Sequence, residues 1–560
     1  VGTSSTKSKG NKESRKAGAA QASQSRFEAS TAPPELISQR VWLISAIVIL
    51  VIAAVLRMYD LPLVPLHHDE GVNGNFLVRL VREHIYKYDP ENYHGPTIYY
   101  LTAIIPWIIK RIFGASAAET YGLNTTTIRM VPAIFGLGTV GLVLTLRKRL
   151  GTIATLAGAL LLALSPGAVY LSRYYIHETL FVFFTLGTVV AALRFYDERN
   201  PVYLLLSAAS LAMLFATKET AMISAGVLII AFVCTQLYFA FVRRQYIPAK
   251  SKRNVRSQNA YARFVQDLGG GSSLGVWLFV GFVIFVAINI LFYSSFFSNY
   301  PKGVWDSLKT FEVWTKTGTQ QHVHSLYKYG DWLLSQESPL LLLGFVGAVI
   351  AVFKPRNTFA LFCGLWSFGL IAAYSLIPYK TPWLTLNFVV PLALVAGYAV
   401  EMLYELASKR ILVPILALVI GAGVSTYQTI DLNFYNYDND ADYYVYVYAH
   451  TTRGLLSMLD RIDQIASHEP DKAAIGITIV SPDYWPLPWY FRNFTRVGYF
   501  AQMAPSTEPL IIANENQKEQ VETNFGQYYE QVKSNSEDGT FQLRPGVKLL
   551  LYERRDRIQR

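Results

Sequence analysis

Residues Gly151–Leu171, GTIATLAGALLLALSPGAVYL, run for 21 positions without a charged side chain. A bilayer hydrocarbon core about 30 Å thick is crossed by roughly 20 apolar residues of helix, and this stretch has that length. Trp42–Leu56 and Ile411–Ile430 read the same way. Across 560 residues, 52% are apolar and only 16% are charged, where soluble proteins carry about 25% charged residues. The chain therefore reads as an all-α polytopic membrane protein. A soluble enzyme, a secreted disulfide scaffold and a nucleic-acid reader all fit poorly. The two cysteines, Cys234 and Cys363, both lie inside apolar runs and point to neither a disulfide framework nor a metal site.

Working outward from 151–171, further spans are expected near 127–146, 176–194, 201–217, 219–241, 275–297, 338–354, 357–377, 383–404 and 410–428. With the first span starting near 41, the total is about 11. The loop from Arg243 to Arg263 holds seven Lys/Arg and no acid, which places it in the cytoplasm. Arg147-Lys148-Arg149, Lys354-Pro355-Arg356 and Lys409-Arg410 then fall on the same side. The segment 97–113, TIYYLTAIIPWIIKRIF, would invert that pattern if it crossed. It is short, contains Pro106 and ends on Lys110-Arg111, so it reads as an interfacial helix.

Three regions follow. Residues 1–40, rich in Ser, Ala, Lys and Gln, form a disordered basic cytoplasmic tail. Residues 41–429 form the transmembrane domain, with outer loops at 58–126 and 298–337. Residues 430–560 have the composition of a soluble domain; from Ile430 onward 13 Lys+Arg face 18 Asp+Glu. Short β-like runs at Ile475–Val480, Leu510–Ala513 and Val547–Tyr552 alternate with helical stretches there, predicting a small extracytoplasmic α/β domain. The whole reads as a multi-pass protein of the cell membrane.

Candidate chemistry gathers on the outer side. His67-His68-Asp69-Glu70 follows the first span, where a carboxylate at the membrane–water boundary can act as a general base; the plainer reading is a solvated acidic loop. Tyr93-His94-Gly95-Pro96, Arg129-Met130-Val131-Pro132-Ala133 and Ser172-Arg173-Tyr174-Tyr175-Ile176-His177-Glu178 come next. Arg129 and Arg173 sit at span ends, where they either snorkel to headgroups or clasp phosphate oxygens bidentately. Glu178 is an acid at a span boundary, a functional candidate or the partner of a nearby arginine. Tyr379-Lys380-Thr381-Pro382-Trp383 and Trp485-Pro486-Leu487-Pro488-Trp489-Tyr490-Phe491-Arg492 share the same surface. Asp438-Asn439-Asp440 has the form of a DxD triplet but stands in an acidic loop where such triplets arise by chance.

This ordered set resembles the GT-C glycosyltransferases, in the protein O-mannosyltransferase and aminoarabinose–lipid A transferase branch. It is similar to a prokaryotic subfamily described as flippase-activity-associated or dolichyl-phosphate-mannose–protein mannosyltransferase-like. The resemblance runs from about residue 41 to 500. It implies a GT-C core of 11 spans, outer interfacial helices and a polyprenyl-phosphate sugar donor. By the same resemblance Asp69 matches the catalytic carboxylate of an inverting transfer, with Glu70 as its structural or polarising neighbour. Arg129 and Arg173 match positions near the donor phosphate, with Lys380 and Arg492 as further phosphate ligands. Glu178 supports the site, and His94 falls where relatives place an acidic metal ligand, so that with His322 or His324 it can hold a divalent ion. The expected partners are the donor lipid, membrane lipids and an acceptor protein, lipid or glycan, with membership of a membrane complex left open and no nucleic acid. The alternatives are a catalytically inert GT-C scaffold and a lipid flippase or transporter.

Overall fold

The computed structural model describes residues 36–92, 94–246, 260–320, 322–408 and 410–558. All but the end of the 1–40 tail, and the middle of the 243–263 loop, lie outside the described residues. Among the described residues, eight helices are long and apolar enough to cross a membrane, from Gln39–Met58 to Leu412–Tyr435. Two bent helix pairs and the shorter apolar helix Pro201–Phe215 join them, so the chain is a multi-pass membrane protein. Together these occupy the 11 expected span positions.

The structure corrects one of those spans, 152–170, which is broken, and turns the chain sharply just before another, 338–354, which is a single helix. Thr152–Ala163 and Pro166–Ser172 meet at 59°, and Lys328–Gln336 meets Ser338–Phe353 at 112°. Pro166 has no N–H to donate and cannot continue the first helix. The carbonyls and N–H groups freed at a helix break need partners, and the chain supplies them from distant segments. Arg57 donates to Leu162 O (3.1 Å) and Ala163 O (3.0 Å), and Thr429 Oγ1 donates to Leu164 O at 2.6 Å. On the other side of the break, Glu337 Oε1 accepts from Ser165 Oγ and Gly167 N, both at 2.8 Å. A cation thus closes the helix C-terminus, the sense that the peptide dipoles favour, and a carboxyl oxygen accepts from the next N-terminus. Glu337 itself stands at the second bend, so the two breaks brace each other.

The basic segments around Arg149 and Arg356 meet at one end of the bundle. There Arg149 pairs with Asp197 and Arg356 with Glu405, and Asn357 Nδ2 donates to Arg149 O at 2.8 Å. The helices His68–Glu83, Thr97–Phe113 and Lys302–Gln320 lie in the segments between spans at the opposite end. Thr97–Phe113 buries Ile98, Tyr99 and Ala103 while exposing Ile104, Ile108 and Ile112. That one-sided burial, with the exposed residues four apart, is the pattern of an interfacial helix.

The C-terminal region carries one mixed sheet in the order β2-β1-β3-β6-β4, with β5 also paired to β6. The strands are β1 Gly476–Ile479, β2 Arg496–Tyr499, β3 Leu510–Asn514, β4 Tyr529–Val532, β5 Phe541–Arg544 and β6 Val547–Arg554. β1 runs parallel to β2 and β3, and the other pairs are antiparallel. Helix Arg453–Ala466 presents Leu455, Met458, Ile462 and Ile465 on one face, and these share a core with Ile477, Ile479, Leu510 and Ile512. Three of the six strands coincide with the β-like runs of the sequence. β2 (RVGY), β4 (YEQV) and β5 (FQLR) each carry charged or polar residues within four positions and stand in no apolar run, whereas β1, equally short, lies inside the apolar run Ile475–Val480.

Candidate functional site

A cavity of about 390 Å³ lies where the segments between spans meet the C-terminal region. Its walls come from the start of helix His68–Glu83, from Asn92 and His94, from Ile176 and Glu178, from Tyr379 and Trp383, and from Tyr448 and Arg544. Sequence positions almost 500 apart therefore share one space. Of the expected site residues, the cavity brings together Asp69, His94, Glu178 and His322.

The two acids after the first span have different environments. Helix His68–Glu83 is closed by a capping box: His67 Nδ1 accepts from Asp69 N at 3.1 Å and Glu70 Oε2 accepts from His67 N at 3.0 Å. Glu70 is fully buried and takes a bidentate ion pair from Arg129, Nε to Oε1 at 2.7 Å and Nη2 to Oε2 at 2.6 Å. Its Oε1 also accepts from Tyr175 N at 2.8 Å. Asp69 turns into the cavity, with 43% of its side chain exposed. His67 Nδ1 lies 3.8 Å from its Oδ2. That nitrogen is already an acceptor, and Nε2 donates to Tyr448 O at 3.2 Å, so the ring is neutral and the pair is not an ion pair.

Burial, with the neighbouring His450 and His68 adding to it, holds His67 well below the usual histidine range; Glu70 and the Tyr448 carbonyl oppose this more weakly. The unfolded histidine takes up a proton near 6.5, while the folded ring stays neutral to lower pH. Its contribution to stability is therefore complete above about pH 6.5 and is lost as pH falls below it. Thermal melts between pH 7.5 and 5.5 are expected to show a declining midpoint, with a shallower decline in His67→Asn, which keeps a side-chain cap.

The basic residues expected at a donor phosphate are all occupied within the chain. Arg129 uses all five N–H groups: besides Glu70 it donates to Leu61 O (2.7 Å), Val64 O (2.8 Å) and Pro65 O (3.3 Å). Arg173 donates to the carbonyls of Leu56, Tyr59 and Asp60 at the end of the first span and stacks over Phe434. Lys380 donates to Ile377 O at 2.6 Å and His324 O at 3.4 Å. Arg492 donates to Trp489 O and Leu123 O and lies over the Trp489 ring. None of these four side chains lines the cavity.

Glu178 forms a buried ion pair with Lys218, and His94 Nδ1 lies 3.2 Å from Glu219 Oε2. The motif His94-Gly95-Pro96 accounts for that placement. Gly95 N donates to Thr217 O at 3.0 Å, and a Cβ at 95 would come within 2.0 Å of Ala216 O. Only glycine lets these two backbones touch, which sets His94 beside Lys218-Glu219. His322 Nδ1 instead meets Tyr448 OH at 2.9 Å, and the His324 ring packs on Trp332. His94 and His322 thus share the cavity while His324 lies outside its lining, and among the described residues no group of three or more His, Cys, Asp or Glu is arranged to hold a metal.

Trp485–Arg492 acts as a clasp between the C-terminal region and helix His68–Glu83. Tyr490 OH accepts from Leu66 N at 2.9 Å, and Arg82 donates to Arg492 O and Asn493 Oδ1. The buried Trp489 indole seats on Gly74, where a Cβ would lie 2.6 Å from Cε3. Gly74→Ala gains helix propensity of about 1 kcal/mol, but overpacking costs about 1–3 kcal/mol. A lower melting midpoint and faster proteolytic release of the C-terminal region are expected.

Sequence reasoning missed Lys218, Glu219, Tyr448 and Arg544. The first two were visible as a charged pair between the apolar runs ending at Phe215 and starting at Ala221. Nothing local marks the other two.

Residues 101–249 match the dolichyl-phosphate-mannose-protein mannosyltransferase family. No curated protein sequence matches the chain. Among solved structures, ArnT from Cupriavidus metallidurans bound to undecaprenyl phosphate is similar with a TM-score of 0.61 at 12% identity, over 92% of this chain and 98% of that one. The Archaeoglobus fulgidus oligosaccharyltransferase tethered to an acceptor peptide gives 0.51 at 14%, over 83% and 64%. AglB from the same organism, in complex with an inhibitory peptide and a dolichol-phosphate, gives 0.51 at 13%, over 85% and 70%. The chain thus has the fold of the GT-C membrane glycosyltransferases, and its segment 101–249 carries the sequence pattern of the dolichyl-phosphate-mannose-protein mannosyltransferases.

Proposed function

We propose that this protein is an integral-membrane glycosyltransferase that moves a sugar from a polyprenyl-phosphate donor to an acceptor on the outer face, with inversion and with Asp69 as general base. The observation that carries the reading is the division of labour in the acid pair. Glu70 is held by Arg129, while Asp69 presents an accessible carboxylate to a cavity open at the end of the spans. In the reaction, the acceptor O–H proton passes to Asp69 as the acceptor oxygen bonds to the anomeric carbon. The bond from that carbon to the phosphate oxygen breaks, and its electrons leave with polyprenyl phosphate. Charge grows on the phosphate as that bond breaks, so a cation already in place favours the transition state over the ground state. Lys380 is the candidate for this role: Tyr379 and Trp383 of its own segment line the cavity, and its buried amine, which does not reach the cavity, would exchange the carbonyls of Ile377 and His324 for the phosphate. Neighbours of the same fold crystallised with undecaprenyl phosphate and dolichol-phosphate support the donor class.

The test is mass spectrometry of lipids that co-purify with the full chain, followed by incubation with undecaprenyl- and dolichyl-phosphate sugars. The expected results are a bound polyprenyl phosphate, its release on transfer, and a product of opposite anomeric configuration. Ordinary phospholipid alone, with no transfer, would overturn the reading in favour of a scaffold or a transporter.

A further inference from the structure

Among the residues lining the cavity, Arg544 is the one with a permanent positive charge. It belongs to the C-terminal region, not to the spans, and stands at the end of β5. The register of β5 against β6 slips between Gln542 and Arg544, and such a bulge re-aims the side chain that follows it. Here it turns Arg544 toward the cavity wall that also holds His68, which carries part of the arginine's field: burial first, then Arg544, lowers the His68 ring's proton affinity, while Asp69 and Asp483 raise it.

Arg544 is paired with Asp483, and both are partly open, at 21% and 32% side-chain exposure. The pair is open to solvent on one side, so a ligand oxyanion can reach the guanidinium and displace the aspartate. Asp483 does not then lose its partners, because Asn514 Nδ2 donates to its other oxygen at 3.3 Å. The arrangement is a cation parked on a replaceable counter-ion, beside the accessible carboxylate of Asp69. A donor lipid reaches the cavity from the spans, whereas Arg544 is supplied by the C-terminal region.

We infer that Arg544 is an acceptor-recognition residue, leaving Asp483 to bind an oxyanion, carboxylate or phosphate, carried by the acceptor close to its reacting hydroxyl. This rests on the proposed transferase reading and names the acceptor class for it.

The test uses the purified full chain, with tryptophan fluorescence reporting on the cavity through Trp383 and on its surroundings through Trp485, which lies beside His68. Inorganic phosphate and acetate are titrated with and without saturating undecaprenyl phosphate. Saturable binding that persists with the lipid bound, weakens at least tenfold in Arg544→Ala, weakens less in Arg544→Lys and tightens severalfold in Asp483→Asn is expected. Preference between the two anions distinguishes a phosphate-bearing from a carboxylate-bearing acceptor. Binding unchanged in Arg544→Ala overturns the inference, and so does anion binding abolished by the lipid, which would make Arg544 a donor ligand. Asp483→Asn keeps the test decisive if Arg544→Ala melts early. Failure of the lipid to bind, with Arg544-dependent anion binding intact, counts against the polyprenyl-phosphate reading and leaves the anion site standing.

Discussion

Asp69→Asn is expected to leave a folded, lipid-binding protein whose transfer rate falls by about 100- to 10,000-fold, the range spanned by a positioned general base. The amide keeps the shape of the carboxylate and removes its capacity to take the acceptor proton. At about 1.4 kcal/mol per tenfold, the loss is about 3–5 kcal/mol of transition-state stabilisation. It should appear in kcat, with donor affinity unchanged, because among the described residues the carboxylate holds no ion pair: His67 beside it is neutral. The melting midpoint should stay within the range of a surface substitution, about 0.5 kcal/mol. Transfer largely retained in the asparagine variant would show that Asp69 is not the base.

The neighbouring residue should fail in the opposite way. Glu70→Gln or Arg129→Ala removes one partner of a buried ion pair and strands the other, which costs about 3–5 kcal/mol. The loss is compounded because Glu70 also holds Tyr175 N and His67 N, and Arg129 holds three carbonyls between Leu61 and Pro65. Both single variants should melt early, and the double variant should cost much less than their sum, since the pair acts as one unit. A chemical-denaturation cycle measures this. A stable Arg129→Ala that selectively loses polyprenyl phosphate would instead give Arg129 the role at the donor phosphate that the family resemblance implies.

These contrasting expectations for adjacent residues show where sequence stops being legible. Side chains one position apart on a helix with 3.6 residues per turn point about 100° apart. Asp69 and Glu70 must therefore face different surroundings, but the sequence does not say which faces the cavity. The same holds for the basic residues. Their charge is visible in the sequence, but the carbonyls left open at helix ends and breaks are not, and a buried carbonyl must find a donor. Arg129, Arg173, Lys380 and Arg492 answer that need with hydrogen bonds to the backbone. Arg57, which drew no notice in the sequence, does the same at the break before Pro166.

The sequence by itself determined the membrane class, the 11 apolar positions, a short helix at Thr97–Phe113 and an α/β region after Ile430 with three of its six strands. Each of these is written in local composition and periodicity, because apolar burial depends on runs of neighbours along the chain. Only the tertiary structure decided where helices break, which acid of the pair is free, and that Tyr448 and Arg544 close a cavity begun at His67. Those outcomes depend on contacts between segments hundreds of residues apart, and hydrogen-bond partners and ion pairs are selected by geometry that no local pattern encodes.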